Sequence, residues 1–284
     1  GERESPGVVT ATAVPEAVIA GRKAATTAAA RARGIQDAKQ ILFGDLHVHT
    51  TYSVDAFLMS LPMLGGEGTH PPADACHYAR FCSGLDFWSI NDHAEALTPA
   101  DWKDTVDTIR RCNEVAGDPA NPDVVAYLGW EWTQVGTTPA THYGHKNVVL
   151  RDLADGAIPA RPIAARGFAA DAVRNVGPDH SLLAWISLGG GLEKRYLDLA
   201  RYMNDRFSVD DCPDDVPAQE LPADCREFTK TPGELFRKLD EWGHESIVIP
   251  HGTTWGFYTP AGSTWDKQLS KEQHDPARQT LIEV

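Results

Sequence analysis

The chain has 284 residues, of which 42% are hydrophobic, a proportion that fits a folded globular protein and excludes a mainly disordered one. That length accommodates one large α/β barrel or two small domains. No run of about 18 apolar residues occurs, so no membrane span is expected, and a net charge of −14 repels phosphate backbones and excludes nucleic acid as an expected partner.

Residues 1–13 are mixed and turn-prone and read as a loose start. Gly1 stands where a Met is usual and no signal-like apolar stretch follows, which reads as a mature or trimmed product. Pro15 to Gln40 is rich in Ala, Arg and Lys, good helix formers, and reads as a helix broken near Gly34 that packs on the outside by a thin apolar face. Residues 1–40 are therefore expected as an N-terminal helical extension and 41–284 as the main domain. Ile41 to His49 is the first expected strand, Ala73 to Cys82 a helix, and Leu85 to Asn91 the second strand. Trp102 to Ala116 is amphipathic, with Val106, Ile109, Cys112 and Val115 near one helical face. Val124 to Trp132 and Lys146 to Arg151 are the third and fourth strands.

Ser181 to Phe228 breaks this alternation with Gly189-Gly190-Gly191, a helix-like piece and an acidic cysteine loop. It reads as an insertion, about 181–230, over one end of the domain. The triple glycine is no phosphate loop, because no Gly-Lys-Ser/Thr follows it. Thr231-Pro232-Gly233-Glu234 is a helix start, with Thr as N-cap, Pro at N1 and Glu at N3, and that helix stops before Gly243. Ser246 to Pro250 is a further strand, and Thr280 to Val284 begins another. Strands alternating with helices predict a mostly parallel sheet or a barrel.

Five cysteines are present. A disulfide between Cys212 and Cys225 would close the loop rich in Asp and Pro, and one between Cys82 and Cys112 would join neighbouring helices, leaving Cys76 over. Without Cys-x-x-Cys spacing a cysteine zinc site is not expected. Disulfides would imply an oxidising compartment, so a periplasmic or secreted location is expected.

Candidate ligands recur where the expected strands end. His47 and His49 form a His-x-His, and side chains at i and i+2 of a strand share a face, so two imidazoles there can hold one metal ion. Asp92 and His93 follow the second strand. Glu131, between Trp130 and Trp132, ends the third, where burying a carboxylate requires a cation or donors nearby. His251 follows Ile247-Val248-Ile249-Pro250. In a barrel of parallel strands these ends share one rim. His145 precedes its strand, so it reaches the site from a loop or its strand runs the other way. His142 is a weaker rival for that place. His70, His77, His180, His244 and His274 read as structural or solvated, and two of Trp130, Trp132 and Trp255 as core.

The segments GDLHVHTTYSVDAF, LDFWSINDHAE, YLGWEWTQ, HYGHKNVVL and IVIPHGT resemble the polymerase-and-histidinol-phosphatase (PHP) superfamily of metal-dependent phosphoesterases. The nearest likeness is to a PHP-like bacterial group known as domain-of-unknown-function family 3604. The resemblance implies a distorted (β/α)7-type barrel with two or three divalent metal ions (Zn, Mn or Fe) at the strand ends. It implies metal ligation by His47, His49, Asp55, His93, Glu131, His145 and His251, with Glu131 bridging two ions. Asp92, His93 and Glu131 are the expected catalytic residues, Asp92 as a partner of His93 or as a proton acceptor. The superfamily closes its site with an Asp-x-His near the end of the barrel, and none follows the last expected strands here. The chain stops in Leu281-Ile282-Glu283-Val284, so the barrel is expected to lack its last strands and to be completed by a C-terminal fragment or a second chain.

The expected activity is hydrolysis of a small-molecule phosphate ester by metal-activated water, with the metals clamping attacking and leaving oxygens. Lys146, Asn147, Thr253 and Thr254 are candidate contacts to a substrate oxygen. Two alternatives stand beside it. An amidohydrolase-like enzyme also opens with His-x-His but often bridges its metals with a carboxylated Lys, and no Lys here ends an apolar strand. A non-catalytic exported metal-binding protein would fit the absent Asp-x-His.

Overall fold

The structure, a computed structural model, describes residues 4–35, 42–168, 170–171, 195–214, 216–270 and 272–284. The Ala-rich stretch forms α1 (Glu16–Ala32), with Glu16 in the first turn, Arg31 in the last and Ala30 as its buried residue, which places it on the outside as its composition predicts. The segment before it is not loose. Pro6 O accepts from Ala73 N at 3.0 Å, Thr10 N donates to His77 Nε2 at 2.8 Å, and Val14 N donates to Asp123 Oδ2 at 3.3 Å. Arg80, wholly buried, pairs with Asp123 at 2.6 Å and also donates to Thr12 O and Val115 O. The periodicity of the first residues carries no sign of this anchoring, because it runs through backbone groups.

The His-x-His run forms β1 (Gly44–Val48), followed by the short α2 (Val54–Met59) and by α3 (Pro72–His77), which continues as a π turn over Tyr78–Cys82. β2 (Phe87–Ile90) pairs parallel with β1. α4 (Pro99–Glu114) opens with a capping box between Thr98 and Asp101 and buries Trp102, Val106, Ile109 and Cys112 against the core. It returns the chain to β3 (Val125–Tyr127), parallel to β2.

The expected third strand is broken at Leu128, and its second half, β4 (Gly129–Gln134), belongs to a different sheet. β5 (Gly144–Leu150) runs antiparallel to β4, with Glu131 opposite Asn147 and Thr133 opposite His145. Residues 135–143 between them are too few for the crossover of a dozen or more residues that a parallel partner needs. β6 is short (Ile163–Ala165). α5 (Arg195–Phe207) lies within the expected insertion and stacks Tyr202 on Phe57, with ring centroids 4.1 Å apart. β7 (Glu227–Thr229) pairs parallel with β6. α6 (Pro232–Trp242) starts at the Thr231 N-cap and stops at Gly243. β8 (Ser246–His251) pairs antiparallel with β5.

The expected (β/α)7-type barrel is therefore not what forms. The described strands make three small sheets, β1-β2-β3, β4-β5-β8 and β6-β7, and none closes on itself. The first two meet where the chain beyond β2 bridges to β4: Glu131 N donates to Asp92 O at 3.1 Å and Ala94 N to Glu131 O at 3.0 Å. Residues 280–284 form no strand, although Glu283 N donates to Pro250 O at 3.2 Å and so runs along β8. Gly189 to Gly191 lie outside the described residues. No helix among the described residues is long and apolar enough to cross a membrane.

Disulfides join Cys212 to Cys225, as expected, and Cys76 to Cys112. The second replaces the expected Cys82–Cys112 pair. α3 buries Cys76 in the core beside Cys112 of α4, whereas the π turn ends with Cys82 exposed as a free thiol.

Candidate metal centre

The two sheets carry complementary halves of one site. From the first come His47 and His49, at the end of β1, and His93, just beyond β2. Parallel neighbours end on the same edge, so these histidines meet although far apart in sequence. From the second come Glu131, His145 and His251. Alternation places Glu131 and Thr133 of β4, His145 and Asn147 of β5, and His251 of β8 on one face, and the register sets them side by side. His145 stands at the start of its strand, and the antiparallel direction of β5 brings it there.

Glu131 is the hub, with a side chain 1% exposed. Its Oε2 lies 3.1 Å from His47 Nε2 and 3.0 Å from His49 Nε2. Its Oε1 lies 2.6 Å from His145 Nδ1, 3.4 Å from His93 Nδ1 and 3.5 Å from His251 Nε2. Each carboxylate oxygen thus faces its own set of imidazoles. The five rings close a circuit, with centroids 4.9 Å apart for His47–His49, 4.6 Å for His49–His93, 6.3 Å for His93–His145, 5.3 Å for His145–His251 and 4.4 Å for His251–His47. Asp55, on α2, reaches His93 Nε2 at 3.1 Å and extends the cluster outward.

Ligand atoms gather within 4.8 Å in four groups: His47, His49 and Glu131; Glu131, His145 and His251; His49, Asp55 and His93; and His47, His251 and Glu283. Imidazole with carboxylate is a donor set that suits Zn, Mn or Fe. His251 Nε2 is buried without a hydrogen-bond partner, and so is Asn147 Oδ1 on the same sheet face, as expected of atoms arranged for something other than each other. The residues present therefore fit divalent ions, with Glu131 shared between two positions.

The electrostatics follow the geometry. Burial opposes ionisation of Glu131, but His93, His145 and His251 overcome it and hold the carboxyl well below its usual range. Burial likewise opposes protonation of His47 and His93, yet Glu131 with Glu283 raises His47 to about 9, and Glu131 with Asp55 and Glu95 raises His93 to about 10. Burial outweighs the Glu131 contact at His251 and lowers it.

Every expected ligand (His47, His49, Asp55, His93, Glu131, His145 and His251) lies in this cluster. Asp92 does not face it. Asp92 is buried, accepting from Thr50 N at 2.6 Å, Thr50 Oγ1 at 2.7 Å and Ser53 Oγ at 2.9 Å, so its carboxylate is taken up by the turn after His49. His142 is taken up elsewhere, with Nε2 2.9 Å from Gly252 O and Nδ1 accepting from Gly136 N. Lys146 also turns away: alternation puts it on the opposite sheet face, where Nζ donates to Tyr143 O and lies 5.2 Å from the Trp132 ring centre. Trp130 and Trp132 are core, while Trp255 is exposed. His180 lies outside the described residues.

Three residues of the site were not singled out from the sequence. Glu283 places both carboxylate oxygens 2.9 Å from His47 Nδ1. A lone carboxylate inside an apolar tetrapeptide was its only sign. Glu95, fully buried, accepts from Thr133 N and Ala165 N and ties β4 to β6 behind His93. Ser53 contacts His49, Asp92 and His93 at once. A cavity of about 690 Å³, lined in part by Asp45, His70, His77 and Tyr78, opens beside His47 and His49.

A family described as "Protein of unknown function (DUF3604)" matches residues 36–100, the segment that contains His47, His49, Asp55 and His93. No curated protein and no solved structure matches the chain. Over residues 36–100 the chain is thus similar to a family whose function is not known.

Proposed function

We propose that the chain is a PHP-like metal-dependent hydrolase acting on a small-molecule phosphate ester, with two or three divalent ions (Zn, Mn or Fe) held by the seven clustered ligands. The observation that carries this reading is the division of the Glu131 carboxylate between two sets of imidazoles. A bridging carboxylate holds two cations close and offsets their repulsion, the arrangement that two-metal hydrolases use on in-line displacements. When bound, such ions supply Lewis-acid activation of water and neutralise charge at the phosphoryl group.

The protein's own groups supply position and charge. His47, His49 and Glu131 would hold one ion, and His145, His251 and Glu131 a second, with Glu131 Oε2 facing the first pair of imidazoles and Oε1 the other. Thr133 Oγ1 donates to Glu131 Oε1 at 3.0 Å and also meets His93 Nδ1, so it turns His93 Nε2 toward Asp55. Asn147 carries a buried carbonyl without a hydrogen-bond partner on the same sheet face as Glu131; as an acceptor it suits a cation or a substrate hydroxyl, not a phosphate oxygen. Lys146 faces away from the cluster, which disfavours a lysine-bridged amidohydrolase arrangement. Two disulfides support a periplasmic or secreted location.

The test is turnover of p-nitrophenyl phosphate and bis-p-nitrophenyl phosphate against a p-nitroanilide, with Zn, Mn or Fe added. Phosphate-ester turnover in the wild type and its loss in Glu131→Ala and His93→Ala is the expected result. Wild-type activity in metal-loaded Glu131→Ala would sink the reading. Turnover of the anilide alone would move the chain to the amide class, and metal uptake without turnover would favour a non-catalytic metal-binding protein.

A further inference from the structure

Ser53 is wholly buried at the N-cap of α2, two residues before Asp55. Its hydroxyl meets three groups: Asp92 Oδ1 at 2.9 Å, His93 N at 3.0 Å and His49 Nδ1 at 2.8 Å. A hydroxyl has one proton to give and two lone pairs to offer. The Asp92 carboxylate takes the proton. The His93 N–H takes one lone pair. What remains for His49 is the other lone pair, so its Nδ1 must carry hydrogen.

We infer that Ser53 is a positioning residue that fixes His49 as the Nδ1–H tautomer and aims its Nε2 lone pair into the cluster. That nitrogen lies 3.0 Å from Glu131 Oε2 and 2.9 Å from His47 Nε2. A lone pair set against a carboxylate oxygen at that distance is repulsive until a cation stands between them. Asp92 acts through Ser53: it orients the hydroxyl, and its contacts with Thr50 N and Oγ1 clamp the turn after His49. One hydroxyl thereby ties together the segments that bear His49, Asp55 and His93. His47 is set separately, by Glu283 at Nδ1. Outer partners of this kind fix the tautomer and ring orientation of metal-binding histidines.

The consequence for metal affinity rests on the metal-centre reading, whereas the tautomer assignment does not, and the test separates them. Protein labelled with 15N-histidine is examined by long-range 1H–15N correlation at alkaline pH, metal-free and with zinc, and zinc affinity is measured by competition with a chromophoric chelator. The variants are Ser53→Ala, Ser53→Thr, which keeps the hydroxyl, and Ser53→Cys, which nearly keeps the volume but accepts weakly. In the wild type, His49 is expected as Nδ1–H in both states. Ser53→Ala and Ser53→Cys are expected to populate Nε2–H at His49, to leave the His47 tautomer unchanged and to weaken zinc binding about 10- to 100-fold, with Ser53→Thr close to wild type. If Ala fails to fold, Cys carries the comparison. An Nε2–H tautomer in the wild type, or an unchanged His49 tautomer in both Ala and Cys, overturns the inference. A wild type that shows the Nδ1–H tautomer and loses it in Cys, but binds no zinc, supports the role of Ser53 and overturns the metal-centre reading.

Discussion

His145 and His251 are register partners across the antiparallel pair β5–β8, and their rings stand 5.3 Å apart. Opposed residues on neighbouring strands show their side chains to the same face. This pairing therefore sets both imidazoles over Glu131, although one starts its strand and the other ends its own. A slip of one residue would turn a whole ligand set to the other face.

Gly144 holds that register. Its φ is +70°, and a Cβ there would meet His251 O at 2.8 Å and the Thr253 backbone at 2.9 Å. Gly144→Val is expected to lower stability by about 2 kcal/mol, from the left-handed backbone and the collision together. It is also expected to weaken metal binding. Gly21→Ala, in α1 with nothing within 4 Å, is the control and should be neutral or mildly stabilising. Urea unfolding of both variants checks this, and equal stabilities would refute it.

The metal-free protein should show a defined dependence on pH. Burial resists the charged forms of His47 and His93, but their carboxylate neighbours raise them to about 9 and about 10, against roughly 6.5 in an unfolded chain. A raised folded pKa stabilises fully below the unfolded value, and the gain is lost as pH climbs through the folded one. The stability that His93 adds should therefore shrink from about pH 6.5 to about 10. Lys146, lowered by burial to about 7, acts in the opposite sense over part of this range. The difference between wild type and His93→Gln isolates the imidazole. Urea melts in chelator across this range should show that difference closing, and a constant difference would contradict it.

The cysteines separate cleanly. Replacing Cys76 and Cys112 together by Ser removes a bridge across a sequence separation of 36 and should lower stability by about 3 kcal/mol. Cys82→Ser should leave stability unchanged, because that thiol is free and exposed. Thiol titration of the native protein should find one reactive group, lost in Cys82→Ser.

Arg80→Met should be among the most damaging single changes outside the cluster. It leaves the Asp123 carboxylate buried and unpaired, and breaking such a pair from one side costs about 3–5 kcal/mol. Adding Asp123→Leu should recover part of the loss. Thermal unfolding of the single and double variants measures both effects.

The clustered residues are legible where the chain punctuates an apolar run with a histidine or acid. His47 and His49 after Leu46, His93 after Ile90, Glu131 between tryptophans and His251 after Pro250 are of this kind. The barrel was not, because strand direction is not written in strand composition. The break at Leu128 and the short 135–143 connection divide what alternation presented as one parallel series. β6 and β7 are three residues each, too short for a period to register. Asp92 reads from the sequence as a partner of His93 or a proton acceptor; its contacts with Thr50 and Ser53 are a preference that residue type cannot reveal. Cys82 looked like the partner of Cys112, but the π turn after α3 carries it outward.

In the proposed centre Glu131 joins two metal positions. Metal content by plasma mass spectrometry, after equilibration with zinc or manganese and removal of free ions, tests it most directly in wild type and Glu131→Gln. At least two ions per wild-type chain and fewer in the variant are expected, with both proteins folded. Equal metal content in the two proteins, or none in the wild type, would contradict it.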